Sequence, residues 1–563
     1  MFNELFKKVV EQVSNVSKFS PEEIERCMEK SCQPKKPNVT LFLIKISSSP
    51  QEDAKELHEA LEKASIELIQ NLAIRGPSVC FDINKKAILK DVLGYIQSNK
   101  ETFGNNSIGK GKRMVVEYSS PNIAKIFHIG HLRTTILGQF IVNLLKASGY
   151  ETVSMNYFGD WGKQFGFVLL GYSKYGSEEE LEKDPLKHLF NVYVKISADA
   201  KENPEVDLEA REIFRKMEEE NDEWCMNLWK RFRELSVEKY KSLYERLNVR
   251  FDVYSGESLY NKKGKEIVEA YKEVKTDEDG SKVFDLGKNR KVLVMKNDGT
   301  TLYITRDIAA AIERLEKYSP EKIIYVVSTE QNKHFEDLFK ILGILGHDES
   351  KFLHVSYGLV AGMSTRAGKA QFLEDIIQES TSVMKKVMMS DSTKNSFTMD
   401  EIDQTAEVLA ISTLLVMDFT ARRVKGYEFD IEKRARNTSG TGPYLQYAHC
   451  RLKSIESRNS DVDYSDINTI DFSLIHVPEV FNLVYKLLWF EHAVEKCLDD
   501  YEPSRIVTYL QDLASCVNVA INSLKVLGVE KELARARLLV LSSARIVLHN
   551  GLKILGATPL NKM

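Results

Sequence analysis

The sequence has few cysteines, and no two of them form a Cys-x-x-Cys motif. Seven cysteines are scattered over a chain of 563 residues. Without paired cysteines there is no indication of a zinc site, and an odd, scattered set in a large chain is typical of reduced thiols in the cytosol. We therefore expect a cytoplasmic protein without a structural metal. The cysteines are Cys27, Cys32, Cys80, Cys225, Cys450, Cys497 and Cys516.

The sequence also lacks a long hydrophobic run. No apolar stretch approaches the ~18–20 residues that a membrane-spanning helix needs. The first ten residues contain Glu4 and no long apolar core, which argues against a secretory signal. We expect no membrane partner. The formal net charge is only −4, so the overall charge neither supports nor excludes nucleic-acid binding, which depends on local basic surface.

Internal repeats and low-complexity segments are missing too, so the chain is expected to divide into ordinary globular domains. A length of 563 residues corresponds to roughly three domains of ~150 residues each. The patterning predicts a multidomain α/β protein: a small α/β domain over 1–106, a parallel-sheet α/β domain over 107–375 and an all-helical bundle over 376–563.

Within the first two domains the apolar periodicity gives more detail. It predicts a helix over 50–73 in the first domain and a charged helical insertion over 176–245 in the second. A hairpin with a glycine turn is expected near Gly280. The strand candidates of the parallel sheet are 113–119, 152–158, 322–328 and 354–360.

The most informative stretch is His128-Ile-Gly-His131, which follows the first of these strand candidates and a Ser-Ser-Pro-Asn breaker. A strand, a sharp loop and a helix start form the layout in which α/β proteins hold phosphate, because amide N–H groups and the positive helix end face the anion. His128 and His131 are three residues apart and share one face of a first helical turn. Gly130 has no Cβ, so a nucleotide can lie close to the backbone. Alone, the tetrapeptide fits a plain helix start with two partly exposed histidines equally well.

Together with further motifs, this stretch resembles the first signature of the class I arginyl-tRNA synthetases, most closely the eukaryotic cytoplasmic type. The motifs occur in the family's order and at plausible spacings, and the resemblance covers nearly the whole chain. They are EYSSPNIAK at 117–125 with HIGH at 128–131, NYFGDWGKQFG at 156–166, LYITRD at 302–307, EQNKH at 330–334, GMSTR at 362–366 and TGPYLQYAH at 441–449.

The resemblance implies an aminoacyl-tRNA ligase with ATP as a substrate and Mg²⁺ accompanying the nucleotide. The carboxylate of L-arginine would attack the α-phosphate of ATP, giving arginyl-adenylate and pyrophosphate. The arginyl group would then pass to the 3′ end of tRNA(Arg) with release of AMP. In the family, an N-terminal add-on domain touches the corner of the tRNA, a Rossmann-like domain is catalytic, and a helical bundle binds the anticodon. We expect a monomer.

The resemblance also implies an arginine pocket with acidic walls. A guanidinium is a planar fork of donors that carboxylates match bidentately, and the family match assigns this task to Glu117 and Asp307, with Tyr303 beside them. Without the match, Asp307 fits an ordinary acid near a helix start, and Tyr303 fits a core aromatic. The remaining matched positions, which hold the amino and carboxylate ends of arginine, are Ser120, Asn122 and Gln331.

The phosphate side of the site is expected from two motifs. His128, Gly130 and His131 would bind ATP, and the neighbouring Lys125 would supply a positive charge. The segment at 362–366 resembles a degenerate Lys-Met-Ser-Lys-Ser loop, in which Gly362 and Thr365 replace the two lysines and Lys125 compensates for the second. Taken alone, such a segment fits a plain loop. The catalytic residues implied by the two motifs are His128, His131, Lys125, Met363, Ser364 and Arg366.

In the helical bundle, one segment interleaves aromatic, amide and basic residues. Stacking on unpaired bases and neutralisation of phosphates are how proteins read single-stranded loops. The alternative is the buried side of a helix, which we favour for Leu445 and Ala448. The candidate tRNA-binding residues are Tyr444, Gln446, Tyr447, His449 and Arg451.

Two other functions remain as alternatives. A class I synthetase or ligase for another amino acid is disfavoured, because a pocket for a neutral side chain would not bury acids. A tRNA-binding protein without catalysis is disfavoured because both histidines, Lys125 and Gln331 are present.

Overall fold

A computed structural model describes the chain except for residues 34, 124, 126, 289, 362–371, 391–396 and 437. Its N-terminal unit combines an antiparallel sheet of order β1-β2-β4-β3 with four helices in the described part. The elements are α1 (Phe2–Asn15), α2 (Pro21–Cys27), β1 (Met28–Lys30), β2 (Val39–Phe42), α3 (Pro50–Ala64), β3 (Ile69–Arg75), β4 (Ser78–Ile83) and α4 (Leu89–Asn99).

The helix predicted over 50–73 is too long. Helix α3 stops at Ala64 because Ser65 adopts a left-handed conformation, with φ of 47°. The chain then turns and returns as β3, which pairs with β4.

The second unit is built on a parallel sheet of order β12-β11-β5-β6-β7 in the described residues. Strand β5 lies in the middle, with β6 on one side and β11 on the other. The strand order therefore reverses next to β5, and such a switch point at the carboxyl ends of strands is where α/β proteins bind ligands. The sheet and its helices are β5 (Arg113–Glu117), α5 (Ile129–Ala147), β6 (Glu151–Phe158), α6 (Lys163–Tyr175), β7 (Val253–Gly256), α11 (Asn261–Ala270), α12 (Tyr303–Tyr318), β11 (Lys322–Tyr325), α13 (Asn332–Ile344) and β12 (Phe352–His354).

Two segments are inserted into this unit. Four helices occupy the range of the predicted helical insertion, 176–245, and lie between β6 and β7 in the chain. The hairpin predicted near Gly280 is confirmed, within a small antiparallel sheet of order β10-β9-β8. The inserted elements are α7 (Glu178–Lys183), α8 (Pro185–Glu202), α9 (Pro204–Arg215), α10 (Glu223–Arg246), β8 (Val274–Thr276), β9 (Lys282–Asp285) and β10 (Lys291–Met295).

Three of the four strand predictions for the parallel sheet are confirmed, but the one over 354–360 is wrong in its extent. Strand β12 ends at His354, and a short strand β13 (Val360–Ala361) pairs with β14 (Tyr427–Glu428) instead. Between them, the carbonyl groups of Ser356 and Gly358 accept hydrogen bonds from two arginine side chains, Arg423 and Arg133. Side-chain donors thus take the place of the backbone hydrogen bonds that a longer strand would form.

The rest of the chain is helical, as predicted. Its long helices pack pairwise, α14 on α15, α18 on α19 and α17 on α20. In the described part of the chain, no helix combines the length and apolar character that crossing a bilayer requires. The helices are α14 (Leu373–Ser390), α15 (Met399–Thr420), α16 (Ile431–Arg434), α17 (Gly442–Arg458), α18 (Pro478–Leu498), α19 (Ser504–Ser523) and α20 (Lys531–Ile554).

Candidate active site

Helix α5 begins at the paired histidines. His128 is its extended N-cap residue, and its Nδ1 accepts a hydrogen bond from the Gly130 N–H at 3.0 Å. Nδ1 of His131 accepts from the backbone N–H of His128 at 3.2 Å. Because both Nδ1 atoms are acceptors, the neutral rings carry their proton on Nε2, which is then a donor.

The charge state of the two rings follows from their surroundings. Burial lowers the pKa of His128. For His131, burial, followed by the nearby His128 and Lys125, lowers the pKa to about 3. Both imidazoles are therefore neutral hydrogen-bond donors near pH 7, not cations.

Gly130 is needed for this arrangement. A Cβ atom at this position would lie 2.8 Å from Cε1 and 3.0 Å from Nδ1 of His128. Any larger residue would push the His128 ring off the helix start.

A cleft of about 1380 Å³ opens at the carboxyl ends of β5, β6 and β11. It is lined by Lys125 and by all six residues that the sequence assigned to arginine: Glu117, Ser120, Asn122, Tyr303, Asp307 and Gln331. His128, Gly130 and His131 are not among its described lining residues but begin helix α5 only three residues after Lys125. The predicted residues are thus brought together at one edge of the sheet.

Asp307 and Tyr303 lie on the first turns of α12, four residues apart and therefore on one face of the helix. Asp307 Oδ2 lies 2.8 Å from His334 Nε2, and the rings of Tyr303 and His334 are 5.0 Å apart between centroids. Tyr303 itself is more than half exposed, so it is not a core aromatic.

Glu117 already has a guanidinium partner. Its Oε2 lies 2.5 Å from Arg314 Nη1, both side chains are almost fully buried, and the Arg314 guanidinium lies over the ring of Tyr157 at 5.0 Å. Burial raises the pKa of Glu117, and Arg314 opposes this rise. Oε2 of Glu117 is therefore already paired with a cation of the chain, and the expected contact of Glu117 with the substrate guanidinium stays a prediction.

The sequence reasoning missed a further acid in the cleft, Glu257. It directly follows β7, so it lies at the same sheet edge as the other site residues, and this position was the signal that could have revealed it. Arg306 contacts its Oε2 at 2.8 and 3.0 Å. Burial, with the nearby Asp307, raises the pKa of Glu257 to about 7, although Arg306 opposes the shift.

The residues Gly362, Met363, Ser364, Thr365 and Arg366 lie outside the described part of the chain. The described segments on both sides are attached close to α5. Before the motif, Arg133 of α5 donates to the Gly358 carbonyl and forms a buried ion pair with Asp418 at 3.3 Å. After it, the Leu373 N–H donates to the carbonyl of Phe127, the residue before His128, at 2.7 Å.

The five candidate tRNA-binding residues all lie on α17, but two of them face the protein interior. Gln446 is fully buried; its amide donates to the Thr558 carbonyl and accepts from the Leu560 N–H, at 2.8 and 2.9 Å. His449 is equally buried and its Nδ1 lies 2.7 Å from the Leu560 carbonyl. Both residues therefore hold the C-terminal segment and are not available to RNA in this structure.

The other three candidates remain accessible. Tyr447 is 40% exposed, and Tyr444 and Arg451 are partly exposed. The Tyr444 hydroxyl accepts a hydrogen bond from the Asn518 side chain at 3.1 Å, which fixes the ring at the surface.

Two family models match the chain. The model "tRNA synthetases class I (R), catalytic domain" matches residues 93–431, and "DALR anticodon binding domain" matches residues 445–563. The chain is 84% identical to an arginine–tRNA ligase of Encephalitozoon cuniculi over 563 residues, covering all of both chains. It is 40% identical over 512 residues to the cytoplasmic arginine–tRNA ligase of Saccharomyces cerevisiae, covering 88% of this chain and 84% of that one.

Solved structures support the fold. The arginyl-tRNA synthetase of Thermus thermophilus superimposes with a TM-score of 0.78 at 21% identity, covering 95% of this chain and 96% of that one. The acid-walled cleft beside a histidine-capped helix, the two family models and the full-length relative agree. The chain belongs to the class I arginyl-tRNA synthetases, which activate arginine with ATP and transfer it to tRNA.

Proposed function

We propose that arginyl-adenylate forms in the cleft at the carboxyl edge of the sheet, with the arginine guanidinium between Asp307 and Glu257. Each of these carboxylates uses one oxygen for a partner in the protein, His334 and Arg306 respectively. Among the described residues, no hydrogen bond reaches the other oxygen of either acid. Two carboxylate oxygens are thus free to accept from the planar donor fork of arginine.

Tyr303 would pack alongside the guanidinium, since it projects into the cleft from the same face of α12 as Asp307. Ser120, Asn122 and Gln331 line the cleft, and we propose that they hold the amino and carboxylate ends of arginine. Glu117 would act from behind this pocket, by fixing Arg314 against Tyr157.

The triphosphate of ATP would lie at the start of α5. His128 and His131 would donate Nε2–H bonds to phosphate oxygens, next to the backbone at Gly130, and Lys125 would add positive charge. Nucleotidyl transfer needs alignment and charge neutralisation more than a covalent nucleophile. Met363, Ser364 and Arg366 are proposed to complete the phosphate side.

Mg²⁺ would bind with the nucleotide. The described residues contain no cluster of three or more metal-ligating side chains, and Mg²⁺ in such sites is held mainly by phosphate oxygens and water.

For tRNA, we propose that Tyr444, Tyr447 and Arg451 contact unpaired bases and phosphates of the anticodon loop. Gln446 and His449 would contribute only by fixing α17 to the C-terminal segment. We propose that the domains span 1–106, 107–375 and 376–563. We also propose that the protein is a cytoplasmic monomer that binds tRNA(Arg).

The arginine assignment rests on two carboxylates in one cleft, Asp307 and Glu257, which each have one oxygen without a partner. The variant Asp307→Ala tests it. The variant should weaken the use of arginine by ~2–5 kcal/mol, as expected for a lost buried charge partner. The measurement is the aminoacylation rate against arginine concentration, at saturating ATP and tRNA.

The matched control is Glu313→Gln. Glu313 lies on the same helix and also accepts a hydrogen bond, from the Tyr260 hydroxyl at 3.0 Å, but it does not line the cleft. An unchanged Michaelis constant and turnover for arginine in Asp307→Ala would refute the placement.

A further inference from the structure

A fully buried carboxylate, Asp160, lies behind the arginine pocket. It follows β6 within the Gly-Asp-Trp-Gly segment and has no solvent-exposed surface. Nε of Arg233 donates to its Oδ2 at 2.6 Å. A buried charge needs such a partner, because removal from water strongly disfavours an isolated ion.

The same carboxylate also holds the loop after β7. Asp160 Oδ1 accepts from the backbone N–H of Ser258 at 2.9 Å, and Oδ2 accepts from the Ser258 hydroxyl at 3.0 Å. Gly256 permits this approach, because a Cβ there would lie 2.2 Å from Oδ2. Ser258 directly follows Glu257, so Asp160 fixes the backbone that carries the second acid of the pocket.

Arg233 belongs to α10, the last helix of the helical insertion. A second contact ties the same helix to the same residue, since the Trp229 indole N–H donates to the Asp160 carbonyl at 2.8 Å. Helix α10 of the insertion therefore holds the loop that carries Glu257 through Asp160, while residues of α9 such as Arg211 and Glu212 line the cleft directly.

We propose that Arg233 and Asp160 are a positioning pair that sets the place of Glu257, so that the helical insertion helps to determine arginine affinity. This rests on the proposed contact between Glu257 and the guanidinium. Arg233 orients the Asp160 carboxylate, the carboxylate holds the Ser258 amide and hydroxyl, and the loop then presents Glu257 beside Asp307. Burial raises the pKa of Asp160 while Arg233 opposes the rise, which is consistent with a carboxylate that depends on this one cation.

The test uses the full-length enzyme with Arg233→Met and Asp160→Asn. A displaced pocket group commonly costs up to about 100-fold, and we expect the Michaelis constant for arginine to rise about 10-fold or more in both variants. The constants for ATP and tRNA should stay within about twofold of the wild type. Arg233→Lys, which restores a cation, should recover part of the loss, which a merely structural role would not predict.

Arg231→Met is the matched control. Arg231 lies two residues away on the same helix and pairs with Glu178, and it is 42% exposed. This variant should keep all three constants. Direct titration of arginine into each purified variant gives the affinity independently of turnover. The Arg233 side chain is 22% exposed, so Arg233→Met provides a folded protein if Asp160→Asn does not.

The outcomes separate this inference from the proposed function. Unchanged arginine affinity in folded Arg233→Met, or an equal rise in all three constants, overturns the positioning pair. If Glu257→Gln also leaves arginine affinity unchanged, the proposed guanidinium contact fails as well. If Glu257→Gln weakens arginine binding and Arg233→Met does not, only the positioning pair fails.

Discussion

Arginine binding should depend on pH through Glu257. Burial raises the pKa of this carboxyl to about 7, so in the empty site it is neutral below that pH and ionised above it. A guanidinium binds the ionised form, so the affinity for arginine is highest at high pH and decreases as the pH falls through 7. The groups around Glu257 are Arg306, Asp307 and Asp160.

The size of the effect follows from the pKa. With a pKa of about 7 the carboxyl is about half ionised at pH 7, about nine-tenths ionised at pH 8 and about one-tenth at pH 6. If only the ionised form binds, the apparent dissociation constant is the intrinsic one divided by that fraction. Arginine affinity should therefore weaken about 10-fold from pH 8 to pH 6, or ~1.4 kcal/mol.

Calorimetric titration of arginine between pH 6 and pH 8.5 measures this directly, without the pH dependence of ATP or tRNA. Glu257→Gln should bind arginine weakly at every pH and lose the pH dependence, whereas Glu313→Gln should keep it. His334→Asn separates any contribution from the imidazole beside Asp307. A wild-type affinity that does not change with pH, or a pH dependence that survives in Glu257→Gln, would refute the reasoning.

Three further changes test other parts of the site. Gly130→Ala should slow ATP–pyrophosphate exchange about 10-fold or more, because the added methyl group displaces the His128 ring; an unchanged rate would show that the ring position does not matter. Lys125→Ala should slow adenylate formation far more than it weakens arginine binding, and a loss of tRNA affinity alone would contradict this. Gln446→Leu should lower the free energy of unfolding by ~1–3 kcal/mol in chemical denaturation, because the Thr558 carbonyl loses its donor and the Leu560 N–H loses its acceptor at the fully buried Gln446; a higher Michaelis constant for tRNA at unchanged stability would instead support a direct RNA contact.

Much of the site was predictable because its parts have local signals. The strand, breaker and helix start before His128 are contiguous in the sequence, and their geometry is set by capping and helix periodicity. The family resemblance identified Asp307 and Tyr303, and helical spacing then places both on one face of α12. The carboxyl-edge rule for parallel sheets then gathers distant motifs. It did not gather Glu257, because the strand before it, β7, has only four residues and was not predicted.

The partners of these residues were not predictable, because they depend on packing between segments far apart in the chain. Nothing near Glu117 indicates that its partner in the structure is Arg314, almost two hundred residues later. The same limit applies to α17. Leu445 and Ala448 were correctly expected to be buried, but in a helix packed within a bundle the buried surface is wide enough to include Gln446 and His449 as well.

The failed helix prediction over 50–73 has a local cause. Apolar residues at Ile66, Leu68, Ile69 and Leu72 fit a helical period about as well as a strand, and short apolar runs do not distinguish the two. The left-handed Ser65 decides the outcome, and serine carries no strong signal for that conformation.

The pairing of the acids resolves a conflict that an arginine-activating enzyme faces. The pocket must attract a cation, yet a triphosphate must lie next to it, and two like charges ~6 Å apart repel by about 3 kcal/mol at an effective dielectric constant of ~20. Arg314 and Arg306 offset Glu117 and Glu257, and burial keeps both histidines neutral, so neither half of the site carries a large uncompensated charge. A neutral amino acid would offer no donors to the unpaired oxygens of Asp307 and Glu257. A pocket whose acceptors stay without hydrogen bonds binds such a ligand weakly. Selectivity for arginine and binding of ATP thus both depend on the ion pairs Glu117–Arg314 and Glu257–Arg306. Replacing Arg306 should therefore weaken the binding of both substrates.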